Sequence, residues 1–300
     1  MIKKISIVAL LLIVIGVIGS IATFATTTKK SAAITTEIDD ISFTSIQIDV
    51  TNTDIELIPV QEQAKIEVVG RNAEKTNEQI TIDRQGETLT IKADKQKRKW
   101  ISFGFNPSPK IKVFIPEKEY ESIHVTATTA DTYVQKLAGK NIKLTTTTGD
   151  IVAKNITSNE LAVKVTTGDI LLDEVKGDTS AEARTGDVVL TNIDGSMVNA
   201  KTTTGDILLR KVLGDIQAKT RTGDLTLQND EIKGSMTGET TTGDIFVQAK
   251  NFPEDIQFNT ATRNGDILIF GQKKQFINNS DSGILFQLET TTGDIIVKKK

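Results

Sequence analysis

Cysteine is absent from all 300 residues, and histidine and tryptophan each occur once. The first absence removes disulfides, thiolate nucleophiles and the strongest structural zinc ligands, and is compatible with an exported bacterial protein. His124 lies in Ser122-Ile123-His124-Val125 with no catalytic partner recognisable beside it, and reads as a surface or capping side chain. No nucleophile elbow, phosphate-binding loop or zinc signature occurs. Neither sign of charge is in excess: 36 basic and 39 acidic side chains leave −3, which argues against nucleic-acid binding. Proline is scarce, at five residues, and aromatics make up 5% of the chain. What is abundant is threonine, which with the other β-branched residues suits short pleated strands. The composition therefore points to an all-β, non-enzymatic protein without cofactor or metal.

One long apolar run stands apart. Ile5 to Ala25 carries no charge, and as a helix it reaches roughly 31 Å, enough for a hydrocarbon core of about 30 Å. Lys3 and Lys4 before it favour a cytoplasmic N-terminus and an extracytoplasmic remainder. A cleaved secretory signal ending at Thr23-Phe24-Ala25 is the alternative. No cysteine follows to accept a lipid. The expected organisation is a cytoplasmic stub (1–4), a transmembrane anchor (5–25), a linker (26–40), an N-terminal β section and cap (41–143), and a repeat region (144–300). The chain is thus expected in the cell membrane, single-pass, with its C-terminal part outside.

The repeat region carries a Gly-Asp pair followed by an aliphatic residue at Gly149, Gly168, Gly186, Gly205, Gly223, Gly243, Gly265 and Gly293. Most spacings are 18 to 20 residues, and the last two are longer. A period of this length marks a β-solenoid of the β-helix or β-roll kind, whose coils bury their apolar faces by stacking. Gly177, Gly195, Gly214 and Gly234 fall halfway along, so each coil is expected to have two strands and two glycine corners. Thr53-Asp54-Ile55 and Thr129-Ala130-Asp131 look like worn forerunners.

After each corner, alternation makes two core columns, one from Ile151 to Ile295 and one from Ala153 to Val297. Before the corner, parity sends Ala200, Thr202 and Thr204 inward, with Lys201 and Thr203 outward. The outward Thr203 column alternates with Arg184 and Arg221, which argues against a threonine-only ice-binding face. The repeating aspartates read as scaffold; a calcium β-roll needs several oxygens per turn, and each turn here offers one Gly and one Asp. At the C-terminal edge, Ile295-Ile296-Val297 is followed by three lysines that would discourage edge pairing.

Two features carry candidate interaction residues. By alternation, Val152, Leu171, Val189, Leu208, Phe246, Leu268 and Ile296 face away from the core, so this strand is either covered on both sides or exposes an apolar strip for a partner. Leu208 and Phe246 are its test positions. The second feature is the stretch holding Lys97, Arg98, Lys99, Trp100, Phe103 and Phe105. It suits anionic lipid or a cell-wall polymer, or else a hairpin whose rings turn inward beneath a solvated basic tip.

Residues 41–125 read as alternating strands, an antiparallel or irregular section capping the solenoid. A basic N-terminus, one membrane segment, this lead-in and tandem coils such as Thr148-Gly149-Asp150-Ile151 and Thr204-Gly205-Asp206-Ile207 together resemble the bacterial putative-adhesin family of unknown function. That family includes the LiaG-like membrane-anchored envelope proteins. The resemblance implies a surface-facing β-solenoid, in LiaG-like members associated with envelope stress systems, and carries over no catalytic residue. Expected partners are the membrane, and a wall polymer, anionic lipid or envelope protein; the rivals are a docking accessory of an envelope sensor and a carbohydrate-active enzyme. Reversing the charges of Lys97, Arg98 and Lys99 is expected to weaken pelleting with anionic liposomes and wall fragments; unchanged pelleting assigns the stretch to the hairpin.

Overall fold

The computed structural model describes residues 33–61, 63–70, 73–93, 109–273 and 283–300. The apolar run 5–25 and the basic aromatic residues Lys97 to Phe105 lie outside these residues. No described helix is long and apolar enough to cross a membrane.

Strands β1 (Ile34–Glu37), β2 (Ser45–Val50), β3 (Asp54–Val60) and β4 (Lys65–Val69) precede a short helix, α1 (Ala73–Asn77). Then come β5 (Ile80–Gln85), β6 (Thr88–Ala93), β7 (Lys110–Pro116), β8 (Glu119–Thr129), β9 (Thr132–Gln135) and β10 (Ala138–Thr148). The long strands β11 (Ile151–Thr167), β12 (Ile170–Thr185), β13 (Val188–Lys201) and β14 (Ile207–Lys219) bend around corners. The remainder is β15 (Leu225–Glu231), β16 (Met236–Thr242), β17 (Ile245–Asn251), β18 (Gln257–Asn264), β19 (Ile267–Ile269), β20 (Leu285–Thr292) and β21 (Ile295–Lys299).

The fold is all-β and mostly parallel, and its register follows the glycine spacing. Ile151 lies beside Ile170, then in turn Val188, Ile207, Leu225 and Ile245. These residues are at most 1% exposed, as are Ala153, Leu172, Leu190, Leu209, Leu227 and Val247 in the second column. Each coil contributes one layer to a continuous core, so the aliphatic residues of one turn are covered by those of the turns above and below.

Alternation fails at the corner itself. Thr202 is buried, Thr203 half-buried and Thr204 exposed, which corrects the inward position expected for Thr204. Gly205 follows with φ +139° and swings the chain outward, so the residue before it leaves the core. Every Thr immediately before a Gly-Asp pair from Thr148 to Thr242 is likewise exposed.

Each coil also has a bend that glycine does not mark. Lys136, Asn155, Glu174, Asn192 and Lys211, one per coil, all have φ between 51° and 58°. One coil later, Asn229 instead uses its amide as a surrogate peptide: Val212 N–H donates to Asn229 Oδ1 (3.0 Å), and Asn229 Nδ2 donates to the Val212 carbonyl (2.6 Å). Both contacts are buried, where an unpaired backbone group costs about 1–3 kcal/mol.

Coils do not stack in chain order at the ends. Strands β2 and β3 lie between the β6/β7 tier and the β8/β9 tier, all parallel. The section expected to be antiparallel or irregular therefore begins with coils of the later kind. The antiparallel strands are β4, paired to β1 and β7, and β5, paired to β6. Lys118 secures the lead-in to β2, donating to the carbonyls of Ile41 (2.9 Å) and Phe43 (2.6 Å).

At the other end, β20 and β21 slot between the β16/β17 tier and the β18/β19 tier. Ile295 to Val297 is thus internal, a correction to its expected place at the edge. Burial explains the order. The inserted tier brings Phe286, Leu288, Ile295 and Val297, each at most 1% exposed, whereas the outer tier matches them with Phe258, Thr260, Ile267 and Ile269, a threonine in place of Leu288 and an Ile267 only half-buried.

A Cβ at Gly205 would sit 2.1 Å from the Gly186 carbonyl oxygen, on a backbone that side chains rarely adopt. Gly86 also has positive φ (+60°), with nothing within 4 Å. Urea melts are expected to show Gly205→Ala destabilised by more than about 2 kcal/mol and Gly86→Ala by only about 1 kcal/mol.

Candidate interaction surface

The most repetitive chemistry is the aspartate column, and its geometry is structural. The N–H of Asp150 donates to Asp131 Oδ1 (2.9 Å), that of Asp169 to Asp150 Oδ1 (2.8 Å) and that of Asp187 to Asp169 Oδ1 (2.8 Å). The ladder continues through Asp206, Asp224 and Asp244 to Asp294 and ends with Asp266 N–H donating to Asp294 Oδ1. It begins at Asp54, which accepts from Asp131 N–H (3.1 Å). Buried threonines complete the corner, with Thr202, Thr220 and Thr240 Oγ1 donating to the carbonyls of Gly186, Gly205 and Gly223 (3.0–3.1 Å). Among the described residues no three His, Asp or Glu side chains converge as a metal cluster would require.

The titration shifts have structural causes. Burial raises Tyr120, whose hydroxyl donates to the Pro116 carbonyl (2.8 Å). Lys118, lowered by burial and by Arg84, lies 5.3 Å from the same ring. Lys140 is raised by its hydrogen bond to Glu121, and Asp230 is lowered by its hydrogen bond to Lys250. Each of these contacts holds strands together.

The outward column two residues beyond each corner glycine's aspartate-flanked turn is a different matter. Tyr133 pairs with Val152, and the register continues through Leu171, Val189, Leu208, Thr226, Phe246 and Ile296 to Leu268. All are half-buried except Leu171, which is 36% exposed. Among the described residues no second layer covers them, so their outer sides form a half-exposed apolar strip. At about 4.8 Å per strand it runs roughly 38 Å. The corner aspartates border one side, and Lys154, Asp173, Thr191, Arg210 and Gln228 the other.

Leu208 and Phe246 are therefore brought onto one surface, separated by Thr226. Lys298 Nζ lies 4.8 Å from the Phe246 ring centroid. Lys97, Arg98, Lys99, Trp100, Phe103 and Phe105 lie outside the described residues; their segment joins β6 to β7 where later tiers carry the Gly-Asp corner. Tyr133 belongs to the strip although its coil lacks a Gly-Asp pair. Its position two residues after Asp131 was the available signal.

Residues 43–298 match the family described as toastrack DUF4097. The chain belongs to that family. No curated protein matches it in sequence. Among solved structures, a protein described as a putative lipid binding protein from Parabacteroides distasonis is 12% identical, over 89% of this chain and 98% of its own, with a TM-score of 0.52. A putative adhesin from the same organism is 9% identical over the same shares, also with a TM-score of 0.52. A putative adhesin from Bacteroides fragilis is 15% identical over 90% of this chain and 97% of its own, with a TM-score of 0.49. The two likenesses with a TM-score of 0.52 show a shared fold.

If the aspartates serve as hydrogen-bond acceptors, a carbonyl can replace the carboxylate. Asp206→Asn is expected to melt within about 1 °C of the parent, and Asp206→Ala about 2–4 °C lower, with added calcium moving neither transition. A calcium-dependent rise that Asp206→Asn abolishes would make the column a metal site instead.

Proposed function

We propose that this toastrack protein is a non-enzymatic, adhesin-like β-solenoid module of the cell envelope, held outside the cytoplasmic membrane by residues 5–25, that engages an envelope protein along its apolar strip. The observation that carries this reading is the unbroken outward register from Tyr133 to Leu268, polar at one position only, Thr226. Long apolar surfaces rimmed by polar residues mark partner contacts. The repeated chemistry elsewhere is spent on coil-to-coil hydrogen bonds, which leaves the reactive groups of the columns serving the scaffold. One structural neighbour described as a putative adhesin and one described as a putative lipid binding protein are both named for binding.

The strip's flatness matters to the type of partner. Its members rise from one face at strand spacing, which suits an extended protein segment or a second sheet face more than a small molecule. An envelope-stress role would operate through the same contact, with a sensor protein as the partner.

Leu208→Glu and Phe246→Glu replace half-exposed side chains and are expected to leave the melting temperature within about 3 °C of the parent. Crosslinking in the native envelope should recover a protein partner with the parent chain and lose it with both variants. Undiminished protein recovery from both variants would refute docking along the strip, and recovery of wall polymer alone would move the contact to an adhesive role without a protein partner.

A further inference from the structure

The two ends of the stack are finished in different ways. Antiparallel strands close the N-terminal end, as described above, whereas the C-terminal end is finished by phenylalanines. Phe270 meets Phe252 edge-on (ring centroids 5.0 Å apart) and Phe258 likewise (5.8 Å), and Phe258 in turn meets Phe286 (5.8 Å). Phe258 and Phe286 are buried, but Phe270 is 42% exposed.

Phe270 is out of place for a surface residue on two counts. It has φ 51°, in the left-handed region, as the first residue of the Phe270-Gly271 turn that brings Ile269 opposite Gln272. A bulky aromatic is costly in that region, which earlier coils reach one position further along with polar side chains, Lys136, Asn155, Glu174, Asn192 and Lys211. Beside it lies a cavity of about 750 Å³, walled by Phe252, Ile256, Phe258 and Phe270. The grooves along the bend in earlier coils are about 370 and 410 Å³ and carry charged linings such as Asp194 and Lys211, or Glu117 and Lys136. Small-molecule sites have volumes of about 300–1,000 Å³, mostly apolar with a few polar groups at defined points.

Those polar groups are Lys298 and Lys299, at the mouth, with Glu254 the one carboxylate in the lining. Among the described residues neither lysine has a carboxylate within 4.0 Å, whereas nearby Lys273 is paired with Asp266 (2.9 Å) and Lys250 with Asp230 (2.7 Å). An apolar aromatic chamber entered past two ammonium groups without a carboxylate partner, that of Lys298 lying over the Phe246 ring, selects a molecule that is apolar at one end and negative at the other. We propose that this cavity binds a single anionic alkyl amphiphile, its hydrocarbon chain against Phe252, Phe258 and Phe270 and its carboxylate or phosphate at Lys298 and Lys299. The site adjoins the strip at Lys298, whose Nζ lies 4.8 Å from the Phe246 ring, and does not need a protein partner.

The test uses the full chain reconstituted in neutral phosphatidylcholine nanodiscs and a photoreactive palmitate as probe, with crosslinked peptides mapped by mass spectrometry. Label is expected on the peptides holding Phe252 to Phe258 and Phe270, displaced by palmitate at a concentration at least tenfold below that needed for hexadecanol. Lys298→Glu with Lys299→Glu should cut the label at least fivefold, and Phe270→Asp should abolish it, each with a melting transition near the parent's. Label confined to residues 5–25, equal displacement by the uncharged alcohol, or label unchanged in both variants would each overturn the proposal.

Discussion

Every Gly-Asp corner is completed by the corner stacked against it. In an isolated turn, the glycine carbonyl, the aspartate N–H and the threonine carbonyl would all face water. In the stack, Thr202 Oγ1 donates to the Gly186 carbonyl, Asp206 N–H donates to Asp187 Oδ1, and Gly205 N–H donates to the Thr222 carbonyl. A coil of 18 to 20 residues cannot bury its own apolar side chains, so neither the turn nor the core exists without its neighbour. Glycine is required for contact as much as for conformation, since the carbonyl of the preceding corner occupies the place a Cβ would take. The column of like charges follows from the same arrangement: carboxylates spaced one strand apart repel, but each Oδ1 is engaged by the next backbone N–H, which offsets part of that cost.

This constraint also decides where function can reside. Inward positions are committed to the core, and corner positions to the ladder. Variation is left to the outward columns, to the bend that lacks glycine and to the two ends. The strip occupies an outward column, and the phenylalanine chamber sits where the bend meets an end. A regular scaffold thus presents its ligand surfaces at the positions its repeat does not use.

How much of this was legible depended on whether local pattern or distant pairing set the outcome. Ile207 and Leu209 were readable as core because nothing interrupts alternation after the glycine. Thr204 was not, because the positive φ of Gly205 acts on the residue before it and breaks the parity. The second kind of bend escaped notice because it places Glu174 and Lys211 alongside Asn155 and Asn192, and only asparagine favours that conformation on its own account. The out-of-order tiers were hidden for another reason: which strand lies beside β16 is settled by the burial of Phe286 and Leu288, a competition between segments that spacing does not record. For the surface, the strip followed from alternation, with its partial exposure decided only by the absence of a covering layer among the described residues. The chamber could not be read, because Phe252, Phe258 and Phe270 recur at no repeat interval.

The interleaved ends have a mechanical meaning. A stack assembled strictly in chain order would present its first and last strands as free edges, open to being unzipped one bond at a time. Here β2 is clamped by β6 and β8, and β20 by β16 and β18. A force drawn in through the N-terminal segment first detaches β1, whose one strand partner among the described residues is β4, and then meets a tier gripped on both flanks. Extracting that tier requires its hydrogen bonds on two sides to shear together, so the first coil resists traction as a mooring rather than as a loose thread.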